Sequence, residues 1–196
     1  YRGAAPLQWA LINGDEETGV AVFRLNEGVD TGPVFVQRKV MIHDEDNAEI
    51  LGHRLAVIGA EILVETLDGL GDGTAEAIPQ NDRLATHAPM LKKEDGQIDW
   101  TRKAKAVWGQ IRGTTPWPGA FTSLHGKRLK IHAAEPIDHA RRGKPGEITE
   151  LTDEGLHVSC GQGALLVREL QLEGGKRLAA DVFLKGHPLG VGDTLG

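Results

Sequence analysis

In the stretch "LNEGVDTGPVF" (residues 25–35), the carboxylate Asp30 stands between two glycines in what reads as a tight connection between two strands. An acid in such a place has two readings. Asp is a turn former, because its short side chain bonds nearby backbone and tolerates a left-handed conformation. The rival reading is that the acid is catalytic. The string "DTG" raises a third idea, the aspartic protease pair, in which two such acids share one proton. The chain holds one copy, preceded by "NEG" rather than by an apolar strand, so half of that dyad is absent and the idea is set aside. Composition and periodicity leave the turn former and the catalytic acid both open.

Other chemistry is sparse. The sequence has no glycine-rich phosphate loop and no Cys/His set at zinc spacing. Its eight histidines are scattered, and its single cysteine, Cys160, lies in the alternating run "GLHVSC". That pattern suits a buried structural thiol better than a nucleophile. One cysteine excludes an internal disulfide framework and fits a reducing compartment.

Charge supplies the second signal. The net charge is −6, yet residues 1–90 hold 6 Lys and Arg against 15 Asp and Glu, while residues 91–196 hold 16 against 13. Between 101 and 144 ten basic residues (Arg102, Lys103, Lys105, Arg112, Lys127, Arg128, Lys130, Arg141, Arg142 and Lys144) face two acidic ones, Glu135 and Asp138. A local excess of this kind points to a polyanion, although an ordinary solvated face has the same composition.

These groups need elements to position them. Residues 5–13 read as a short helix with Pro6 in its first turn and Gly14 closing it. Alternation predicts strands over 18–25 and 34–42, with Asp30 in their connection. Residues 46–70 carry Ile50, Leu51, Leu55, Val57, Ile58, Ile62, Leu63 and Leu67 at helical spacing, with Asp46 or Asn47 as the cap. Residues 72–97 lose all period and read as a linker. A second helix is predicted over 101–112, with Trp108 on its apolar face and Trp100 and Trp117 packing against a barrel edge. Four or five short strands then follow at about ten-residue spacing, the pattern of a small barrel. A last helix ends at Gly186. No apolar run reaches the roughly 18 residues of a membrane span.

Read together, the strings "YRGAAPLQWALINGDEETGV", "EGVDTGPV", "ATHAPMLKKEDGQIDW" and "IRGTTPWPGAF" resemble the 10-formyltetrahydrofolate-dependent formyltransferases, most closely the branch that acts on methionyl-tRNA. The resemblance implies an α/β first part, the C-terminal half of a Rossmann-like formyltransferase domain, over residues 1–78. It implies a linker over 79–96 and a small all-β, OB-like barrel that binds tRNA over 97–196. It implies transfer of a formyl group from 10-formyltetrahydrofolate to the α-amine of methionyl initiator tRNA, in the cytoplasm of a bacterium or in an organelle, by a monomer that needs no metal and meets no membrane.

By the same resemblance Asp30 is catalytic, and Gly28, Val29, Asp30 and Thr31 lie against the folate. Lys92 and Lys93 in the linker, with Arg102, Lys103, Lys105, Arg112, Lys127, Arg128 and Lys130, meet the tRNA. The family's other two catalytic residues, an Asn and a His ahead of the "YRGAAP" string, do not fall within these residues, so the chain is expected to be an inactive fragment. Two rivals stay open. A sister enzyme would act on a sugar nucleotide or hydrolyse the formylfolate without tRNA, and a non-catalytic RNA-binding module would bind without turnover.

Overall fold

Asn47, not Asp46, caps the long central helix. Its side-chain oxygen accepts from the backbone N–H groups of Glu49 and Ile50, both at 2.9 Å. This helix, α2 (Ala48–Asp72), runs past Gly69 to a left-handed Gly73, whose N–H returns to the Gly69 carbonyl. Asp46 is buried instead. It accepts from the His43 N–H at 2.8 Å and from Arg54 at 2.5 Å, tying the first turns of the helix to the strand before it.

The computed structural model describes residues 1–137 and 143–196, and Arg141, Arg142 and Asp138 of the basic stretch lie outside the described residues. It divides into two units, Tyr1–Leu11 with Asp15–Leu91, and Ile12–Gly14 with Lys92–Gly196.

The first unit holds helix α1 (Pro6–Asn13) up to Leu11, followed by strands β1 (Glu17–Phe23) and β2 (Val34–Met41) and then α2. The two strands form an antiparallel hairpin, with Val20 opposite Arg38 and Val22 opposite Val36. Leu11, Ala48 and Leu51 make a small core with Leu7, Ile42 and Leu55 against it. Of the helical apolar set, Leu51 and Ile62 are buried, whereas Ile50, Val57, Leu63 and Leu67 are exposed. Residues 74–91 are ordered through backbone pairing. Ile78 exchanges two hydrogen bonds with Val34, both 2.8 Å, and Arg2 exchanges two with the 86–88 segment, both 2.7 Å.

The second unit contains α3 (Ala104–Thr114), β3 (Ala120–Leu124), β4 (Lys127–Ile137), β5 (Ile148–Thr152), β6 (Gly155–Ser159), β7 (Ala164–Leu172), β8 (Leu178–Ala179) and α4 (Ala180–Gly186). All the strand pairs are antiparallel, in the order β3-β4-β7-β6-β5, with the two-residue β8 added beside β7. Among the described residues no pairing joins β3 to β5, so the barrel expected from strand spacing is seen as an open path. Leu129, Ile131, Leu156, Val158, Leu165, Val167 and Leu170 face one core, which Ile111 and Phe183 of the flanking helices complete.

Helix α3 begins three residues later than its sequence pattern. Thr101 donates both its N–H (3.0 Å) and its hydroxyl (2.6 Å) to the Asp99 carboxylate. That local bonding competes with a helical start, and the same bonds from Thr101 hold the Asp99 carboxyl below its ordinary pKa. Among the described residues no helix is long and apolar enough to cross a membrane.

Candidate active site and basic surface

The β1–β2 connection is drawn shut at its neck, where the Arg24 N–H donates to the Pro33 carbonyl at 2.9 Å. Inside it the Asn26 side-chain oxygen accepts from the Gly28 N–H at 3.2 Å and from the Thr31 hydroxyl at 2.8 Å. The sharp bend falls on Asp30 itself, which is left-handed with φ 52°, and not on the glycines beside it. Asp is among the few residues with a side chain that accept this conformation readily. Gly32 serves by having no side chain. A Cβ there would lie 1.7 Å from the Arg24 carbonyl oxygen.

The bend turns the Asp30 carboxylate inward, half-buried, where its Oδ2 accepts from the Gly3 N–H at 2.8 Å. It lies on the wall of an open cleft of about 620 Å³, with Tyr1, Arg2, Gln37 and Gln80 on the same lining. Of the other loop positions expected against a folate, Gly28 and Val29 are exposed, Val29 at 72%, and Thr31 is half-buried with its hydroxyl committed to Asn26. The polar residue that sequence reading missed is Gln80. Its amide nitrogen donates to the carbonyls of Asp30 (2.9 Å) and Gly32 (2.7 Å).

The basic residues of the second unit fall into groups. Lys92 and Lys93 are exposed on a short turn in which the Lys92 N–H donates to Asp95 at 2.6 Å. Arg102, Lys103 and Lys105 are exposed around the start of α3. Arg112 is different. It is buried at 9% exposure, and its guanidinium lies over the Trp108 ring, 3.7 Å from the centroid, which removes it from any exposed phosphate-facing set.

Lys127 and Arg128 are exposed at the β3–β4 turn, and Lys130 stands between Phe121 and Gln171 in the sheet register. The Arg128 guanidinium stacks over Phe121 at 4.5 Å. Arg128, Lys130, Gln171 and Glu173 line a hollow of about 230 Å³, the last adding a carboxylate to a mostly basic rim. Beside it His132 bonds to Gln171 at 2.9 Å. Burial, helped by the Arg177 and Lys130 charges, holds its imidazole below the ordinary histidine pKa despite that bond.

Two tryptophan expectations separate here. Trp100 is buried, and its indole N–H donates to the Thr122 hydroxyl at 3.1 Å. Trp117 does not pack an edge. It is 54% exposed, within a segment whose flanking prolines keep it out of both α3 and β3. Cys160 is buried, and that burial pushes its thiol up to about 12, which makes it inert as a nucleophile near neutrality.

Comparison with known proteins places both parts of the chain. Residues 90–188 match the family model described as "Formyl transferase, C-terminal domain", and residues 1–67 match the one described as "Formyl transferase". The methionyl-tRNA formyltransferase of Geobacter metallireducens is 47% identical over 196 residues, all of this chain and 62% of that relative. That of Geobacter sulfurreducens is 48% identical over the same length, 61% of the relative. The chain therefore spans a little over three-fifths of these proteins. Among solved structures, HypX from Aquifex aeolicus in complex with tetrahydrofolic acid is similar in fold, with a TM-score of 0.70 and 23% identity over 100% of this chain and 36% of that one.

Proposed function

Because the chain belongs to the formyl transferase family, we propose that it serves the transfer of a formyl group from 10-formyltetrahydrofolate to the α-amine of methionyl initiator tRNA. The observation that carries this reading is the Asp30 carboxylate, bent into a cleft and held there by a backbone N–H. The relatives named above favour tRNA as the acceptor over a sugar or water.

The cleft has the size of a small-molecule site, with mixed polar and apolar walls suited to a folate. The loop backbone over Gly28, Val29, Asp30 and Thr31 would lie along the folate, which supplies the formyl group when bound. Asp30 takes the proton that the amine loses as its nitrogen bonds to the formyl carbon, while the bond from that carbon to the folate N10 breaks and N10 leaves protonated, as tetrahydrofolate. Its carboxylate is fixed by the Gly3 N–H, so one oxygen is oriented while the proton is accepted. Donors to the developing oxyanion are assigned by family resemblance to an Asn and a His beyond these residues.

Residues 1–78 are read as the C-terminal half of a Rossmann-like catalytic domain, 79–96 as a connector and 97–196 as an OB-like tRNA-binding domain. Lys92, Lys93, Arg102, Lys103, Lys105, Lys127, Arg128 and Lys130 would meet tRNA phosphates. Such pairings give salt-dependent affinity with little base readout.

The test of the activity is formyl transfer to methionyl initiator tRNA by the chain extended to the length of its relatives. Absence of transfer there, with turnover of a sugar nucleotide instead, would overturn the reading. The test of the surface is the salt dependence of tRNA binding. Replacing Arg128 or Lys130 by Ser should weaken binding to tRNAs of different sequence alike and flatten the log–log salt slope by about 1 for each phosphate partner removed. A slope unchanged in both variants would take the β3–β4 face out of the interface.

A further inference from the structure

We infer that Gln80 is the positioning residue of the Asp30 loop, a side-chain clamp that holds the left-handed bend and so aims the carboxylate. The inference rests on Asp30 being the proton acceptor proposed above. Gln80 lies fifty residues further along the chain, yet its amide nitrogen donates to the carbonyls of Asp30 and Gly32, at 2.9 and 2.7 Å. Those two carbonyls flank the Asp30–Gly32 step, so one NH₂ group spans the bend from behind. A primary amide has two N–H donors, and both are used here.

The other end of the amide is equally determined. The Gln80 oxygen accepts from Arg2, from Nε at 3.3 Å and from Nη2 at 3.0 Å. That guanidinium is held in turn by Asp82 at 2.8 Å, and the Arg2 backbone is paired with the 86–88 segment. A guanidinium has donors only, so it forces the oxygen of Gln80 to its own side and the nitrogen to the loop. The residue after Arg2 is Gly3, whose N–H holds the Asp30 carboxylate. One short segment, Arg2 and Gly3, therefore fixes the carboxylate directly and the backbone beneath it through Gln80.

Energetic scale supports a clamp. The left-handed conformation is disfavoured for residues with a side chain, least of all for Asp, so the gain from a pair of ordinary hydrogen bonds is enough to hold it at Asp30. Without the two donors, both carbonyls lose their partner and the bend loses its compensation. Gln80→Glu keeps the shape and sets oxygens against two carbonyls. Gln80→Met keeps the approximate volume and removes every hydrogen bond that the amide makes.

The test uses the chain extended to the length of its relatives, with backbone resonances of Asp30 and Gly32 followed by NMR beside steady-state kinetics. The clamp predicts that Gln80→Glu and Gln80→Met shift or broaden those resonances. It also predicts kcat lower by about 10- to 100-fold, the scale of a slightly misplaced reacting group, with KM for tRNA within about threefold of the parent. Resonances unchanged in both variants would overturn the clamp. A fall in KM-side affinity alone with kcat intact would also overturn it, since that would make Gln80 a binding residue. If the parent protein transfers no formyl group, the resonance comparison still decides the clamp separately from the proposed activity.

Discussion

Asp30→Asn, in the chain extended to the length of its relatives, is expected to lower kcat for formyl transfer by roughly 10²- to 10⁴-fold, the range of a lost general base. The substitution is chosen to change little else. Asn has the size of Asp, tolerates the left-handed conformation seen at φ 52°, and keeps an oxygen to accept from the Gly3 N–H. What it loses is the ability to take a proton. Binding of methionyl-tRNA should stay close to that of the parent, placing the whole effect on the chemical step. If the variant retained activity within a few-fold, Asp30 would be a turn former after all, and the proton acceptor would have to be sought elsewhere in the cleft.

Gly32→Ala should be nearly as damaging, for a steric reason. Its Cβ would fall 1.7 Å from the Arg24 carbonyl oxygen, a backbone atom at the neck of the loop. The strain cannot be relieved by turning a side chain, so either the neck opens or the 30–32 backbone moves off its Gln80 partners. Overpacking against backbone costs about 1–3 kcal/mol. The accompanying displacement of Asp30 should cost on the order of 100-fold in rate. Gly71→Ala is the matched control. It lies in α2 with open space where its Cβ would go, and should be neutral or stabilising by about 0.5 kcal/mol. Chemical denaturation of both variants, with transfer assays, separates the two effects. A Gly32→Ala protein as stable and active as the parent would show that the neck is not needed.

How much of this was legible in the sequence depends on the range of the interactions involved. Helix α2 and the β1–β2 hairpin follow from periodicity, because each residue's environment is set by neighbours three or four positions away, or across a short turn. The late start of α3 was hidden by a competition between Thr101 and Asp99 that pattern counting does not weigh. Arg112 could have been anticipated, since it follows Trp108 by four residues and so lies beside it on the helix. The candidate site divides likewise. Asp30 stands out by its glycines and by family resemblance. Gln80 gives no local sign, because its meaning lies in partners 48, 50 and 78 residues away. The exposure of Trp117 was unreadable for a similar reason, since no period governs a proline-flanked segment.

The lone cysteine has a consequence for how the molecule could be watched. Cys160 is sealed in the core of the second unit, and its thiol is held in the unreactive protonated form near neutral pH. Alkylating reagents attack the thiolate, so modification must wait until that core opens. With a single thiol in the chain, the rate of labelling becomes a clock for the opening of the unit that holds it.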